Sequence, residues 1–400
     1  MSRVSEEEQT RAIAEHTVDF VSESELRAKL RLGRPLRIKL GCDPSAPDLH
    51  LGHLVPLDQL RRYQDMGHVI VFLVGDFTAR IGDPSGRSKT RPVLSREQVQ
   101  ENAETYREQV SEVLDRERIE LRFNSEWMDE MQAADLIRLA SHQPVARMLE
   151  REDFKRRYQD GNSIGMHEFL YPLVQAYDSV ALEADIEVGG TDQLFNLLLG
   201  REIQRSYGQD PQVALTFPLL VGTDGREKMS KSVGNAVGIR EAPAEMYGQV
   251  MSIPDKALPQ WVALLMSDSG APIARLTGDV ISPRDQKAAL AHHLVARFHG
   301  EQTAREAEAQ FDRVFRRHQA PADLPEVEIA SNDAAGPRLV DLLVEAGFAP
   351  SRSEAKRLVV QGGVQLDQVR AGDSQVRVEA GSHLLQVGRR RFTRVRVRIS

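Results

Sequence analysis

Residues 35–53 carry the sequence PLRIKLGCDPSAPDLHLGH, and this stretch decides the fold class. The apolar character of 35–42 predicts a strand, which a turn rich in Pro and Asp follows. The tetrad HLGH at 50–53 then opens a helix that is predicted to begin near Leu54. Two imidazoles at positions i and i+3 of a helix start can face one ligand, and the backbone N–H groups there favour an anion. The stretch therefore predicts a strand–turn–helix unit with an anion site at its turn.

Apolar segments and helical segments alternate through the first half of the chain. Strands are predicted at 35–42, 69–74, 119–123, 186–188 and 212–221, and helices at 1–34, 54–65, 97–113, 133–149, 168–182 and 193–207. Such alternation is typical of a parallel sheet that is covered on both faces. We therefore predict an α/β fold with a Rossmann-like, doubly wound parallel sheet, whose ligands bind beyond the C-terminal strand ends.

The second half of the chain has a different pattern. Residues 226–318 begin with a loop and continue as a helical domain, and 319–336 are rich in Ala, Pro, Asp and Asn without periodicity. That composition predicts a linker. Residues 337–400 combine two short helices, a Gly-Gly pair and short strands, which predicts a small α+β domain.

The composition is that of an ordinary soluble globular protein, with 41% apolar and 28% charged residues among 400. This length predicts two or three domains. No apolar run reaches the ~18 residues of a membrane span, and the polar, acidic N-terminus does not predict a signal peptide. The lone cysteine, Cys42, excludes an internal disulfide and a Cys-based zinc site, so we expect a cytoplasmic protein.

The net charge of −7 hides an asymmetry along the chain. Residues 337–400 have twelve Arg and Lys against six Asp and Glu, a balance of +6, which leaves −13 on residues 1–336. A basic tail on an acidic body favours a polyanionic partner for the tail. A solvated basic face that keeps a small domain soluble is the alternative.

A second signature, KMSKS at 228–232, brings two ammonium groups, Lys228 and Lys231, into a loop between Gly225 and Gly234. Together with the imidazoles of the tetrad, these groups predict a site that holds a triphosphate from two sides. The chain has no G-x-x-x-x-G-K-[ST] motif and no G-x-G-x-x-G after a strand. Their absence excludes a P-loop enzyme and argues against a dinucleotide site.

Three further stretches carry polar residues suited to a ligand. Asp43-Pro44-Ser45 follows the first strand, and Gly82-Asp83-Pro84-Ser85-Gly86 leads into a basic cluster that includes Arg87 and Arg91. Gly189-Gly190-Thr191-Asp192-Gln193 joins a strand to a helix, and its glycines allow close backbone approach to a nucleoside. An exposed turn in the basic cluster, and a tight turn with an N-cap at 191 or 192, are the structural alternatives.

The predicted helix at 168–182 has a polar face. Tyr171, Gln175 and Asp178 stand at i, i+4 and i+7, which places a phenol, an amide and a carboxylate on one side of an otherwise apolar helix. A capped or solvent-facing edge would explain these residues without a ligand.

The two signatures, in this order on a βα-type chain, resemble those of the class I aminoacyl-tRNA synthetases, HIGH and KMSKS. The Tyr-x-x-x-Gln-x-x-Asp face at 171–178 is similar to that of the bacterial-type tyrosyl-tRNA synthetases, in which it binds the substrate tyrosine. The basic helix at 353–359 and the following Gly362-Gly363 resemble an S4-type RNA-binding domain. The resemblance covers nearly the whole chain.

The resemblance implies a role for each motif. His50 and His53 would stabilise the α-phosphate of ATP, and Lys228 and Lys231 would bind the leaving pyrophosphate. The other implied ATP-binding residues are Asp43, Ser45, Arg87, Arg91, Gly190, Asp192 and Ser230. The implied tyrosine-binding residues are Lys39, Asp83, Tyr171, Gln175, Asp178 and Gln193, with Asp178 accepting from the substrate phenol. Arg352, Lys356 and Arg357 would bind tRNA.

Lys39 departs from the family pattern, because many tyrosyl enzymes have a second phenol-binding Tyr at this position. Strand alternation places Lys39 on the side of Gly41 and Asp43. We predict that it points toward the tyrosine pocket, where it pairs with Asp178 or donates to the substrate phenol. The alternative is a stem that packs along the strand while the ammonium reaches solvent.

The resemblance further implies tyrosine–tRNA ligase activity, with L-tyrosine, ATP and tRNA(Tyr) as substrates, Mg²⁺ accompanying ATP, and no dedicated metal site. It also implies a homodimer whose interface is an insertion at about 115–165 of a catalytic domain, 1–225. A tryptophanyl relative and a non-catalytic RNA-binding paralogue are the alternatives. Asp178 and the basic tail argue against the first, and the intact signatures argue against the second.

Overall fold

The computed structural model describes residues 4–44, 48–81, 96–266, 281–316, 326–331, 333, 335–367, 369–388 and 391–399. The chain forms two compact units, Met1–Ala242 with Gln249–Leu290 and Pro243–Gly248 with Ala291–Ser400. The second unit therefore includes part of the helical stretch that the sequence analysis assigned to a separate domain at 226–318.

The first unit contains the predicted sheet. Its strands among the described residues are β1 Asp19–Val21, β2 Arg37–Cys42, β3 Val69–Val74, β4 Ile119–Phe123, β5 Ile186–Gly190 and β6 Val213–Phe217, in the order β1-β6-β5-β2-β3-β4. Strands β2 to β6 are parallel, and β1 adds an antiparallel edge. The chain builds outward from β2 in both directions, so the order reverses between β2 and β5. This confirms the doubly wound sheet, and such a reversal is where ligands bind.

The helices follow the strands in the expected alternation. Among the described residues up to 242 they are α1 Glu6–Ala14, α2 Glu23–Arg31, α3 Leu51–Asp65, α4 Thr78–Ile81, α5 Arg96–Val110, α6 Ser125–Met128, α7 Ala133–Ser141, α8 Val145–Met148, α9 Glu152–Gln159, α10 Met166–Ala181 and α11 Leu194–Ser206. Four more helices follow along the chain: α12 Pro243–Met251, α13 Leu258–Leu265, α14 Pro283–His299 and α15 Glu301–Phe311. None of the helices in the described ranges combines the length and apolarity that a membrane crossing requires.

Both faces of the sheet are covered. Strand β3 is buried from Ile70 to Val74, at residues that point alternately to the two faces. On one face, Val71 and Leu73 pack against Leu182, directly after α10. Helices α10 and α11 pack on each other through a cluster that includes Leu173, Ala176, Leu199 and Ile203. This packing fixes the position of α10 on the sheet, and with it the position of the polar residues that α10 carries.

Three predicted elements differ in the structure. Residues 1–34 are not wholly helical, because β1 pairs with β6 between α1 and α2. The helix predicted at 133–149 breaks into α7 and α8 at Pro144, which lacks a backbone N–H and disfavours helix in the residue before it. The strand predicted at 212–221 ends at Phe217, before Pro218.

A buried carboxylate joins α2 and β2 to the start of β5. Asp185 accepts two hydrogen bonds from the Arg34 guanidinium at 2.6 and 2.8 Å, one from the Arg37 N–H at 2.9 Å and one from Lys29 Nζ at 3.4 Å. Burial alone would raise its pKa, but these donors hold the pKa of Asp185 below its usual value. The charge of this carboxylate is therefore compensated within the fold, at the N-terminal ends of β2 and β5.

The second unit contains a five-stranded sheet in the order β7-β11-β10-β8-β9 among the described residues. Its strands are β7 Glu326–Ser331, β8 Val364–Leu366, β9 Val369–Arg370, β10 Gly381–Val387 and β11 Arg391–Ile399, and the helices α16 Leu339–Glu345 and α17 Arg352–Val360 pack on it. Strand β7 corrects the sequence analysis, which placed these residues in a linker at 319–336. Its backbone pairs in parallel with β11, and Ile329 is buried in the core of the unit.

Candidate active site

A cavity of about 680 Å³ opens at the C-terminal ends of the central strands of the first unit. The ends of β2, β3 and β5, the start of α3, the polar face of α10 and the loop 228–232 all contribute to its lining. The sheet order reverses at this point, so the cavity lies where the sequence analysis expected a ligand. Both signatures and the polar face of α10 therefore meet in one site.

The two imidazoles of the first signature are held at the N-terminus of α3. The Gly52 N–H donates to His50 Nδ1 at 3.2 Å, and the His50 N–H donates to His53 Nδ1 at 3.1 Å. Burial, together with the charges of His53, Lys231 and Lys228, lowers the pKa of His50 to about 2, and burial lowers that of His53 to about 4. Both rings are therefore neutral at neutral pH, and with Nδ1 accepting, each Nε2–H is a donor.

The loop of the second signature lies against the same cavity with both ammonium groups ion-paired. Lys231 Nζ is 2.9 Å from Asp48 Oδ2, and Lys228 pairs with Asp192. The Ser230 N–H donates to Asn235 Oδ1 at 2.8 Å, and the buried Met229 donates its N–H to the Leu220 carbonyl. Backbone hydrogen bonds thus fix the loop. Its two ammonium groups pair with carboxylates, and the phosphates of a polyanionic ligand could take the place of these carboxylates.

The polar face of α10 also lines the cavity, as predicted. Tyr171 donates its hydroxyl to Asp43 Oδ2 at 2.7 Å, and Gln175 Oε1 accepts from Asn196 Nδ2 at 2.7 Å. Asp43 also accepts from Thr78 Oγ1 at 2.7 Å. A Cβ at Gly75 would come within 2.1 Å of the Asp43 carboxylate, so glycine is required there.

Asp178 is buried at the inner end of this face. Trp127 Nε1 donates to its Oδ1 at 2.9 Å, and Asn124 Nδ2 donates to its Oδ2 at 3.3 Å. Burial raises the pKa of Asp178 to about 7, although the charge of Lys39 and the two donors act in the opposite direction. The carboxylate is therefore oriented by neutral donors in an environment that disfavours an unpaired charge.

Asn124 and Trp127 were not identified from the sequence. A usable signal exists, because Asn124 directly follows β4, and polar residues after parallel strands face the ligand edge of the sheet. Trp127 lies on the short helix α6, and no pattern in the sequence predicts that its indole N–H belongs to the site.

Lys39 lines the cavity, but the first of its two predicted partners, Asp178, is wrong. Its Nζ lies 2.8 Å from Glu187 Oε1 and donates to Ser179 Oγ at 2.9 Å and to the Gln175 carbonyl at 3.2 Å. It therefore pairs with Glu187 rather than directly with Asp178. The alternative of an ammonium in solvent is also wrong, because the side chain is completely buried.

The strand-to-helix turn after β5 forms the remaining wall. Gln193 Oε1 accepts from the Gly190 N–H at 3.0 Å, within a 3-10 turn at Thr191–Gln193. Asp192 reaches across to Lys228. The tight-turn interpretation and the ligand interpretation are therefore compatible, since the turn directs Asp192 into the cavity.

Four predicted ATP- or tyrosine-binding residues, Ser45, Asp83, Arg87 and Arg91, lie outside the described residues. The predicted tRNA-binding residues lie in the second unit, on α17. Arg352 and Arg357 are largely exposed and pair with Asp341 at 2.5 Å and Glu354 at 2.6 Å, and Lys356 is exposed. The helix thus presents three cations on its surface.

Comparisons with known proteins agree with this geometry. A family model for class I tRNA synthetases (W and Y) matches residues 31–316, and an S4 domain model matches 337–384. The tyrosine–tRNA ligase of Thermotoga maritima is 51% identical over 394 residues, 97% of each chain. That of Bordetella pertussis is 53% identical over 394 residues, 96% of each chain.

A solved structure gives the same result. The tyrosyl-tRNA synthetase of Archaeoglobus fulgidus, complexed with L-tyrosine, is 25% identical with a TM-score of 0.63, over 76% of this chain and 100% of that one. The chain therefore belongs to the class I tRNA synthetases of the W and Y family and, within it, to the tyrosine–tRNA ligases.

Proposed function

We propose that the cavity activates tyrosine with ATP and then charges tRNA(Tyr). A tyrosine carboxylate oxygen attacks the α-phosphorus of ATP, forming tyrosyl-adenylate and releasing pyrophosphate; the 3′-terminal adenosine of the tRNA then takes the tyrosyl group and AMP leaves. One observation supports the proposal. In a single cavity, neutral imidazoles and ion-paired lysines line one part, and a buried, oriented carboxylate lies in another.

The phosphate end supplies donors where negative charge develops. His50 and His53 act as neutral Nε2–H donors to the α-phosphate, and Lys228 and Lys231 exchange their carboxylate partners for the β- and γ-phosphates. By resemblance, Ser45, Ser230, Arg87 and Arg91 assist. Asp192 and Gly190 bind the ribose, and Asp43 contacts ATP.

The amino-acid end selects and orients tyrosine. Asp178 accepts from the phenol, while Tyr171, Gln175 and Asp83 hold the ammonium group and Gln193 directs the carboxylate toward ATP. Phenylalanine would leave the buried Asp178 without its hydroxyl partner, and sites built this way reject the missing hydroxyl by ~10⁴–10⁵-fold.

Amino-acid-dependent ATP–pyrophosphate exchange with tyrosine, tryptophan and phenylalanine tests this function. We expect exchange with tyrosine, and only traces with the other two. Exchange with tryptophan would support the tryptophanyl alternative, and no exchange with any of the three would support a non-catalytic RNA-binding protein.

Mg²⁺ would enter the site bound to the phosphates of ATP, where it neutralises charge on the leaving pyrophosphate. Among the residues that the structure describes, no group of three or more His, Cys, Asp or Glu side chains is placed to hold a metal ion. The compartment we propose is the cytoplasm, where charged tRNA is used.

The proposed homodimer has support from exposed apolar side chains in the insertion. Ile137, Val145, Tyr158 and Met166 are each more than 60% exposed, within a stretch of some thirty residues. Large apolar residues that cluster on a surface mark association sites. The stretch overlaps the interface that the resemblance implies at about 115–165.

We expect a mass in solution of twice the 44.8 kDa chain, measured by light scattering. Ile137→Glu combined with Tyr158→Glu should lower it to that of the monomer, because the interface would have to bury two charges. The matched control, Val18→Glu with Leu32→Glu, charges equally exposed apolar positions outside the stretch and should leave the dimer intact. Dissociation in both variants, or in neither, would count against this interface.

The proposed tRNA surface makes a separate prediction. Replacement of Arg352, Lys356 and Arg357 by alanine should leave tyrosine-dependent exchange within about twofold of the parent but weaken tRNA binding. The slope of log affinity against log salt should fall by about 0.9 for each tRNA phosphate that the variant no longer neutralises.

The control replaces Arg394, Arg396 and Arg398 on β11, which removes three exposed cations from the same unit. Filter binding at several salt concentrations measures both variants. Equal losses in the two would assign binding to net charge rather than to α17.

A further inference from the structure

Lys39 and Glu187 form an ion pair that is shielded from solvent. The two side chains are fully buried, with 2.8 Å between Nζ and Oε1. They stand at paired positions of the neighbouring parallel strands β2 and β5, so both point to the sheet face that α10 covers. Buried ion pairs are costly to desolvate and contribute little net stability, so this pair calls for a second explanation.

Every donor and acceptor of the pair is committed. Lys39 uses its three N–H groups on Glu187, the Ser179 hydroxyl and the Gln175 carbonyl. Glu187 Oε2 accepts from Ser179 at 3.2 Å and from Gln212. A Cβ at Gly200 would lie 2.5 Å from Gln212 Nε2 and 3.2 Å from Glu187 Oε2, so α11 must carry glycine where it passes this cluster.

The Lys39 ammonium lies close to Asp178, so the ion pair influences a carboxylate of the cavity. Gln175 and Ser179, whose groups Lys39 contacts, lie on either side of Asp178 along α10, so the ammonium is within one helical turn of that carboxylate. The hydrogen-bond donors to Asp178 itself, Trp127 and Asn124, are neutral.

The charges around Asp178 support the same interpretation. Burial raises its pKa, Lys39 on β2 lowers it, and Glu187 on β5 raises it by less. Without the ammonium, a carboxyl in this environment would hold its proton at neutral pH. A protonated carboxyl between two N–H donors is a poor acceptor for a further hydroxyl.

We propose that Lys39 is a specificity-determining positioning residue, which Glu187 orients toward α10 so that its buried charge lets Asp178 act as the acceptor for the substrate phenol. This rests on the proposed tyrosine site. Lys39 does not touch the substrate; it acts through Asp178 and through the backbone of Gln175.

The test separates charge from stability with three variants of the full chain: Lys39→Met, Glu187→Gln and the double Lys39→Met/Glu187→Gln. Each is measured for melting temperature and for the ratio of kcat/KM for tyrosine over phenylalanine in pyrophosphate exchange. We expect both single variants to melt at lower temperature than the parent, since each leaves one buried charge alone.

The ratio of kcat/KM for tyrosine over phenylalanine should not change in parallel with the melting temperature. It should fall about fivefold at pH 7 in Lys39→Met, as expected if the pKa of Asp178 rises by about one unit from its value of about 7, and mainly through a higher KM for tyrosine. It should stay within about twofold of the parent, or rise, in Glu187→Gln, because the amide oxygen of Gln can still accept from Lys39 and hold the ammonium toward α10, while a charge that raises the pKa of Asp178 is removed. The double variant should regain part of the melting temperature and keep the low ratio, which decides the matter even if Lys39→Met does not fold.

The pair Lys29–Asp185 provides the control, because it is a second buried Lys–carboxylate contact in the same unit, between α2 and the residue before β5, and outside the cavity lining. Lys29→Met with Asp185→Asn should lower the melting temperature and leave the ratio unchanged. A ratio that follows melting temperature in all variants, or that stays constant in both variants lacking Lys39, would overturn the proposal. An unchanged ratio in Asp178→Asn would instead overturn the tyrosine site on which the proposal rests.

Discussion

Lys231→Ala should slow the formation of tyrosyl-adenylate by about 10²–10³-fold, the usual cost of removing one preorganised donor from a developing charge. Lys231 lies on the loop 228–232 that lines the cavity, and it pairs with Asp48. Asp178, the proposed phenol acceptor, is buried on α10. We therefore expect the Lys231 ammonium to act on the pyrophosphate as it leaves, with no contact through which to change tyrosine affinity.

Pre-steady-state measurement of adenylate formation, with tyrosine affinity from the concentration dependence, separates these effects. The control is Lys287→Ala, which removes an ammonium paired with Asp255 at 2.5 Å, outside the cavity lining. It should leave the rate unchanged. A parent-like rate in Lys231→Ala would refute the role given to the loop, and an equal loss of tyrosine affinity would mean that the loop acts before the transition state.

Asp178→Asn should reduce the preference for tyrosine over phenylalanine by about 10–10²-fold, which corresponds to losing one hydrogen bond to a charged group. The geometry gives a second reason. Trp127 and Asn124 donate to different carboxylate oxygens, so an amide at 178 must turn its NH₂ toward one of these donors. The variant loses charge and also acquires an unsatisfied buried donor.

The measurement is kcat/KM for both amino acids, and we expect most of the change in the KM for tyrosine. Asp185→Asn is the matched control, because it makes the same change at a buried aspartate outside the cavity. Unchanged discrimination in Asp178→Asn, or an equal change in the control, would remove Asp178 from the phenol site.

The sequence was sufficient for the features that depend on local pattern. Strand β3 and strand β4 have the predicted bounds, because apolar runs between turns define buried parallel strands. His50, His53 and the Lys228–Lys231 loop lie in one cavity because the ends of parallel strands and the turns that follow them share one edge of the sheet.

The features that depend on contacts between distant residues were not predicted. The partner of Lys39 is Glu187, almost 150 residues away, and the choice between Glu187 and Asp178 depends on the register of β2 against β5. Asn124 and Trp127 reach Asp178 only because β4 and α10 come together in three dimensions. Strand β7 is different, because its sequence alternates Glu326, Val327, Glu328 and Ile329, a local strand pattern that the linker assignment overlooked. Its pairing with β11 places Ile329 in the core of the unit.

Strand β7 determines where the chain can be divided. The S4 domain match ends at residue 384, inside β10, and begins at 337, after β7. A fragment cut at those limits would lose β11 and leave the backbone groups of β10 without partners. A fragment of 337–400 would keep β11 but uncover its outer edge, because β7 occupies that edge in the intact chain. An open edge strand pairs readily with other chains, so the tail domain should be isolated from residue 326 onward if aggregation is to be avoided.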